Sequence, residues 1–202
     1  MQDNLNDMHM DVLREIGNIG AGNATTALSQ MLNKSITMQV PEVNIVEFKN
    51  VSAIIGGEEN IVAGILVKIS GDIEGIMMYV LEYDSVRSML NILLNKNIAS
   101  EDILGEMDLS ALKEIGNILT GSYLTALSKL TNLTMIQSIP KLAFDMAGAI
   151  LSVPAILFGK TCDSVLFIKT DFNQGDRDVV GYYILIPEAQ SFDKIMKSLG
   201  VI

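Results

Sequence analysis

Apolar residues recur at steps of three, four or seven along much of the chain, which is typical of helices with one buried face. The longest such stripe opens the chain and a second long one begins near its middle. Helices are predicted in this way over residues 7–32, 83–94, 106–130 and 189–199. The two long helices therefore each precede a more variable region that ends in a shorter amphipathic helix.

Between these helices the pattern changes to runs rich in valine and isoleucine, which predict strands. One such run, broken by a Gly-Asp pair, predicts a β-hairpin over residues 61–81. A second hairpin is predicted over residues 164–186, with a long turn at residues 172–178. Residues 147–158 fit either a short buried helix or a strand. Single strand-like runs follow the two long helices, at residues 36–48 and 141–144.

The two long helices contain the same motif. Residues 11–29 and residues 110–128 align without a gap, 99 positions apart, and 11 of the 19 positions are identical. Both copies contain Glu-Ile-Gly-Asn-Ile, then a glycine after two intervening residues, and later Thr-Ala-Leu-Ser. Recurrence at this distance indicates a duplicated unit.

The order of elements is the same in both halves: helix, strand, short element, hairpin, helix. One half alone has too few apolar residues to form a stable hydrophobic core. We therefore expect both halves to share one sheet across a pseudo-twofold axis. The fold class predicted is α/β of the α+β type, with an antiparallel-rich sheet packed with helices. Residues 1–202 then form one domain of two repeats, about 7–95 and 106–200.

Each motif places a glutamate, an asparagine and a glycine at positions i, i+3 and i+7, on one face of its helix. They are Glu15, Asn18 and Gly22 in the first copy, and Glu114, Asn117 and Gly121 in the second. Packing explains why both copies keep their apolar stripe, but gives no reason to keep an exposed Glu and Asn twice. A structural alternative remains, in which the glutamate is a solvated helix residue and the asparagine caps one of two short helices.

Glycines at positions 17, 20 and 22 are unusual inside a helical pattern. Each costs roughly 1 kcal/mol of helix stability relative to alanine. A sequence that tolerates this cost needs close backbone approach at these positions. Either another helix or the surface of a partner can supply that approach.

Composition excludes several classes of function. The net charge of −10 argues against nucleic acid and anionic membrane as partners, and no uncharged run is long enough to span a bilayer. The N-terminus lacks the pattern of a signal peptide, and the single Cys162 excludes an internal disulfide, so we expect a cytoplasmic protein. One histidine, His9, cannot supply a catalytic triad, and no cluster of Cys and His suggests a metal site.

The candidate functional groups that remain are the two Glu-Asn pairs. Asparagine is not a base at neutral pH, but its side-chain oxygen can accept a hydrogen bond from a water and fix its direction. Glutamate can pair with a lysine of a macromolecular partner. Alignment and charge neutralisation are what phosphoryl transfer requires, because its transition state is loose. Such a pair would act only by completing a site that already holds a phosphoryl group.

The doubled motif resembles the CheC group of the CheC/CheX/FliY phosphatases of bacterial chemotaxis, over essentially the whole chain. The resemblance implies docking on the phosphorylated response regulator CheY. Glu15 and Glu114 would contact the regulator's active-site lysine, while Asn18 and Asn117 would orient water for in-line attack on the aspartyl phosphate. Magnesium would belong to the regulator, so no cofactor or metal of the chain's own is expected. Two sites are expected in a monomer, and Gly22 and Gly121 would face the partner.

The same resemblance implies a second partner, the receptor deamidase CheD. The candidate contact is Phe144, Asp145 and Met146, where an acidic residue lies between apolar ones. Most such patterns are simply strand ends. A non-catalytic flagellar-switch or adaptor module that binds CheY-phosphate is the alternative to an enzyme, and a ligand-binding module without activity is a further one.

Overall fold

An eight-stranded antiparallel sheet is the central layer of the computed structural model, which describes residues 7–99, 102–158, 164–174 and 177–200. The helices are α1 (Asp7–Leu32), α2 (Val51–Ile54), α3 (Tyr83–Leu94), α4 (Glu106–Thr131), α5 (Ala147–Phe158) and α6 (Ala189–Ser198). The strands are β1 (Thr37–Met38), β2 (Glu42–Glu47), β3 (Ile61–Gly71), β4 (Gly75–Glu82), β5 (Met135–Gln137), β6 (Lys141–Met146), β7 (Ser164–Gln174) and β8 (Arg177–Pro187). A mixture of helices and antiparallel sheet was predicted, and that prediction is confirmed.

The sheet takes strands from both halves of the chain. Its order is β1-β7-β8-β4-β3-β5, with β2 also paired to β7 and β6 also paired to β3. The hairpins of the two halves meet at the centre, where Tyr79 on β4 lies opposite Tyr183 on β8. The single strands that follow α1 pair with the hairpin of the second half, and those that follow α4 pair with the hairpin of the first. This exchange supports our proposal that two repeats form a single domain.

The sheet buries a hydrophobic core on each face. Alternate residues of β4 point to opposite sides, with Tyr79 and Leu81 in one core and Met78 and Val80 in the other. The first core is covered by α1, α3, α4 and α6, and the second by α2 and α5. The two motif-bearing helices therefore lie on the same side of the sheet and pack against each other.

The glycines of α1 permit close packing, as the sequence predicted. A Cβ added at Gly20 would lie within 2.8 Å of three ring carbons of Tyr123 on α4, and one added at Gly17 would overlap Val43 on β2. Gly22, by contrast, has no neighbour within 4 Å of the position that its Cβ would take. Two of the three glycines are thus explained by packing, and the third faces outward.

One local prediction, the turn of the second hairpin, was wrong. The long turn predicted at residues 172–178 is absent from the described part of this hairpin: β7 continues to Gln174, β8 begins at Arg177, and Asn173 lies opposite Asp178. The Nδ2 group of Asn173 donates a hydrogen bond of 2.7 Å to Asp178, which helps two polar residues remain in strand conformation.

Two other local expectations are settled by packing. Residues 147–158 form a helix, α5, whose residues Ala147 and Ile150 cover the second core. The periodicity also places Met31 and Leu130 in the apolar stripes of the long helices, and this was wrong, because they are 44% and 38% exposed in the last turn of each helix. Cys162, predicted to be buried in a strand-like run, lies outside the described residues. None of the described helices is both long enough and apolar enough to cross a membrane.

Candidate functional site

The first motif lies on the outer surface of α1. Buried Leu13 and Ile16 hold this helix against the sheet, and the same helical geometry turns Glu15 and Asn18 to the exposed side. Within the described part of the chain, neither the Glu15 carboxylate nor the Asn18 carboxamide has a hydrogen-bond or ion-pair partner. Both side chains are consequently available to a second molecule.

The second motif is arranged differently. Glu114 is exposed, but Asn117 is only half-exposed, because the side chain of Gln137 on β5 lies over it. The Nε2 group of Gln137 donates a hydrogen bond of 2.8 Å to Oδ1 of Asn117 and lies 3.3 Å from the main-chain oxygen of the same residue. The same Nε2 would lie 3.4 Å from a Cβ added at Gly121. The second site is therefore partly covered by a residue that the sequence analysis did not identify.

An open cleft of about 450 Å³ adjoins the second motif. Its lining combines the motif residues with polar and apolar groups from the end of β5 and the segment after it. The lining residues are Ser110, Lys113, Glu114, Asn117, Gln137, Ser138, Ile139 and Pro140. A protruding group of a partner can enter this cleft and reach Glu114 and Asn117 together.

The start of α4, the helix that carries the second motif, is fixed by a local network. Asp108 in the first turn accepts a hydrogen bond of 2.9 Å from the backbone N–H of Gly105 and forms a 2.7 Å ion pair with Lys96. Lys96 first, and the Gly105 N–H second, lower the pKa of the Asp108 carboxyl below its ordinary value. A carboxylate at this position stabilises the helix by satisfying a free backbone donor.

Each motif is flanked by an exposed branched apolar residue. Val40 and Ile139 are 81% and 87% exposed, and each immediately precedes a proline, Pro41 or Pro140. Pro41 is buried beside Gly17 of the first motif, and Ile139 and Pro140 line the cleft at the second. The two prolines are 99 residues apart, so the repeat in the sequence already indicates that Val40 and Ile139 occupy equivalent positions.

The residues predicted to contact CheD do not share one environment. Phe144 is half-buried and packs edge-on against Tyr83, with ring centroids 6.2 Å apart. Asp145 and Met146 are exposed at the end of β6, and the carboxylate of Asp145 accepts a 2.8 Å hydrogen bond from the N–H of Met146. Only the last two residues of the predicted patch therefore present their side chains to solvent.

Among the residues that the structure describes, no three His, Cys, Asp or Glu side chains gather closely enough to hold a metal ion. Each motif instead presents a carboxylate and a carboxamide from neighbouring turns of one helix. This arrangement can pair with a cation and direct a hydrogen bond, both on a molecule that binds from outside.

A known protein and a solved structure match the chain over nearly its full length. A model of the CheC-like family matches residues 8–45 and 107–142, which contain the two motifs. The CheY-P phosphatase CheC of Bacillus subtilis (strain 168) is 35% identical over 201 residues, 97% of this chain and 96% of that protein. The flagellar motor switch phosphatase FliY of the same organism is 32% identical over 127 residues, 62% of this chain and 33% of that protein. The crystal structure of Thermotoga maritima FliY has a TM-score of 0.75 and 26% identity, covering 97% of this chain and 98% of that one.

Proposed function

This chain belongs to the CheC-like family, and from that premise we propose that it removes the phosphoryl group from the aspartyl phosphate of a CheY-type response regulator. The family resemblance that its repeated motif suggested is confirmed by the 35% identity to a phosphatase, so the chain is a hydrolase of this kind. The observation that supports the substrate is that both Glu-Asn motifs lie on the outer surface of their helices, where a macromolecular partner can reach them.

In the proposed mechanism the chain completes a site on its partner. Glu15 or Glu114 pairs with a lysine beside the acyl phosphate and fixes the orientation of docking. Asn18 or Asn117 accepts a hydrogen bond from a water and holds it in line with the phosphorus. A magnesium ion held by the regulator would supply charge neutralisation for the phosphoryl group. The chain therefore contributes alignment, and the partner contributes the phosphoryl group.

The direct test is the decay of acyl phosphate on a purified response regulator, followed with and without the chain. Substoichiometric protein should accelerate the decay with multiple turnovers, while nitrophenyl phosphate should not be hydrolysed. A non-catalytic adaptor would bind the phosphorylated regulator without accelerating its decay. That result would replace the enzymatic proposal with the adaptor alternative.

Docking should depend on the exposed apolar residue beside each motif. We expect the double change Val40→Asp with Ile139→Asp to raise KM for the phosphorylated regulator by about tenfold or more. The reason is that each change places a charge where docking would bury an apolar side chain. The turnover rate at saturation should change much less. Ile156→Asp is the matched control, since Ile156 is 82% exposed but lies on α5, over the opposite face of the sheet. Equal KM values for the docking variant and the parent would remove Val40 and Ile139 from the interface.

We also propose that CheD binds at the end of β6, through Asp145 and Met146. Exposure of both side chains at the edge of the sheet supports this location. Asp145→Lys should weaken CheD binding by about tenfold and leave the fold intact, which calorimetry and circular dichroism would measure. Asp193→Lys reverses the charge of another exposed aspartate, on α6, and should retain wild-type affinity. If both variants bind like the parent, Asp145 is not part of the CheD site.

The proposal places the chain in the cytoplasm as a monomer, where soluble response regulators are available to both of its motifs. Gly22 and Gly121 would leave the helix surface flat beside each asparagine, so that a partner can approach the backbone. Gly121 is less accessible than Gly22 because Gln137 lies beside it.

A further inference from the structure

We propose that Gln137 is a positioning residue that orients the carboxamide of Asn117 and makes the two sites unequal. This inference rests on the function proposed above. The residue 99 positions before Gln137 is Met38, which has no amide. The side chain of Asn117 accepts a hydrogen bond from Gln137, whereas the side chain of Asn18 has no hydrogen-bond partner within the described residues.

The pattern of hydrogen bonds fixes which way both amides face. The main-chain oxygen of Asn117 can only accept a hydrogen bond, so the group of Gln137 that lies 3.3 Å away is its Nε2. The atom of Asn117 that lies 2.8 Å from the same Nε2 is then its oxygen, Oδ1. A carboxamide oxygen has two lone pairs, and one of them remains free for a water. Gln137 therefore selects one orientation of Asn117 without blocking its proposed function.

Packing does not account for the glutamine. Its Oε1 is buried and has no hydrogen-bond partner among the described residues, and an unpaired buried oxygen costs free energy. Methionine at the equivalent position of the first half avoids that cost. A glutamine at this site is better explained by what its Nε2 does for Asn117.

Holding the asparagine in one orientation should affect the reaction step more than docking. A carboxamide that already faces the water loses no rotational freedom when the partner arrives. The second site should therefore turn over faster per bound regulator than the first. The affinity of each site depends on the surrounding surface and should not follow this difference.

The test isolates one site at a time. In an Asn18→Ala background, where only the second site remains, Gln137→Met should lower kcat for acyl-phosphate hydrolysis about three- to tenfold with little change in KM. In an Asn117→Ala background, the same change should have no further effect, because the residue that Gln137 positions is gone. Activity of the first site in that background also reports whether the variant folds.

Two results would overturn the role of Gln137. Unchanged or increased kcat in the Asn18→Ala background would show that Gln137 is a passive cover over Asn117. Equal losses in both backgrounds would show a general structural effect instead of positioning. Failure of the proposed function is separate from either result, because the wild-type protein, with Asn18, Asn117 and Gln137 intact, would then not accelerate the decay of acyl phosphate at all.

Discussion

Replacing both motif asparagines, Asn18→Ala with Asn117→Ala, should lower the rate of acyl-phosphate hydrolysis by about 10²-fold or more, as expected for a lost positioning contact. Binding of the phosphorylated regulator should change much less, because Glu15, Glu114 and the helix surface remain. The fold should survive, since alanine is a better helix former than asparagine and neither side chain is buried in the core.

The single variants show how the activity divides between the sites. Each should remove one share, and Asn117→Ala should remove the larger share because Gln137 holds that carboxamide in place. Decay of acyl phosphate on the regulator is the assay, and circular dichroism is the control for folding. Asn97→Ala, an exposed asparagine between the two halves, should leave the rate unchanged. Near wild-type activity in the folded double variant would return the asparagines to a structural role.

The long helices and their exposed motif residues could be predicted because they depend on local pattern. α1 and α3 begin and end at the residues that periodicity indicated. The exposure of Glu15, Asn18 and Glu114 follows from the same pattern, since they lie beside the buried stripe on the helix. Sequence periodicity is informative where one face of a helix is buried and the other is free.

The partial covering of Asn117 could not be predicted in this way. It depends on β5, a strand of three residues that pairs with β3 of the other half, far away along the chain. A strand this short has no clear period, and its partner is set by how the two halves assemble. Comparison of Gln137 with Met38 shows only that the repeats differ, since contact with Asn117 follows from the three-dimensional arrangement.

Two of the departures from the repeat on α1 and α4 have a common physical cause. Gly20 lies against Tyr123, and the equivalent positions in the other copy are Leu119 and Ala24. At one pair of equivalent positions α1 has the small residue and α4 the large one, Gly20 and Leu119. The same holds at the second pair, Ala24 and Tyr123. Leu119 and Ala24 are both fully buried in the same core as Tyr123. The summed side-chain volume of Gly20 and Tyr123 is about the same as that of Ala24 and Leu119, although the residue types differ. Close-packed interiors tolerate substitutions that conserve volume in this way.

This packing predicts opposite effects for two neighbouring glycines. Gly20→Ala should reduce the free energy of unfolding by about 1–3 kcal/mol, because the added methyl overlaps a rigid, buried tyrosine ring. Gly22→Ala should increase it by up to about 1 kcal/mol, because its Cβ meets no atom within 4 Å and alanine favours the helix. Urea unfolding followed by circular dichroism measures both changes with one protocol.

The cause of the Gly20 effect can be separated from ordinary helix propensity by a double-variant cycle with Tyr123→Ala. Removal of the ring opens space beside Gly20, so Gly20→Ala should no longer be destabilising in that background. The two changes should therefore be coupled, whereas Gly22→Ala and Tyr123→Ala should add independently. Wild-type stability of Gly20→Ala alone, or the same loss with and without the Tyr123 ring, would show that α1 and α4 do not depend on this contact.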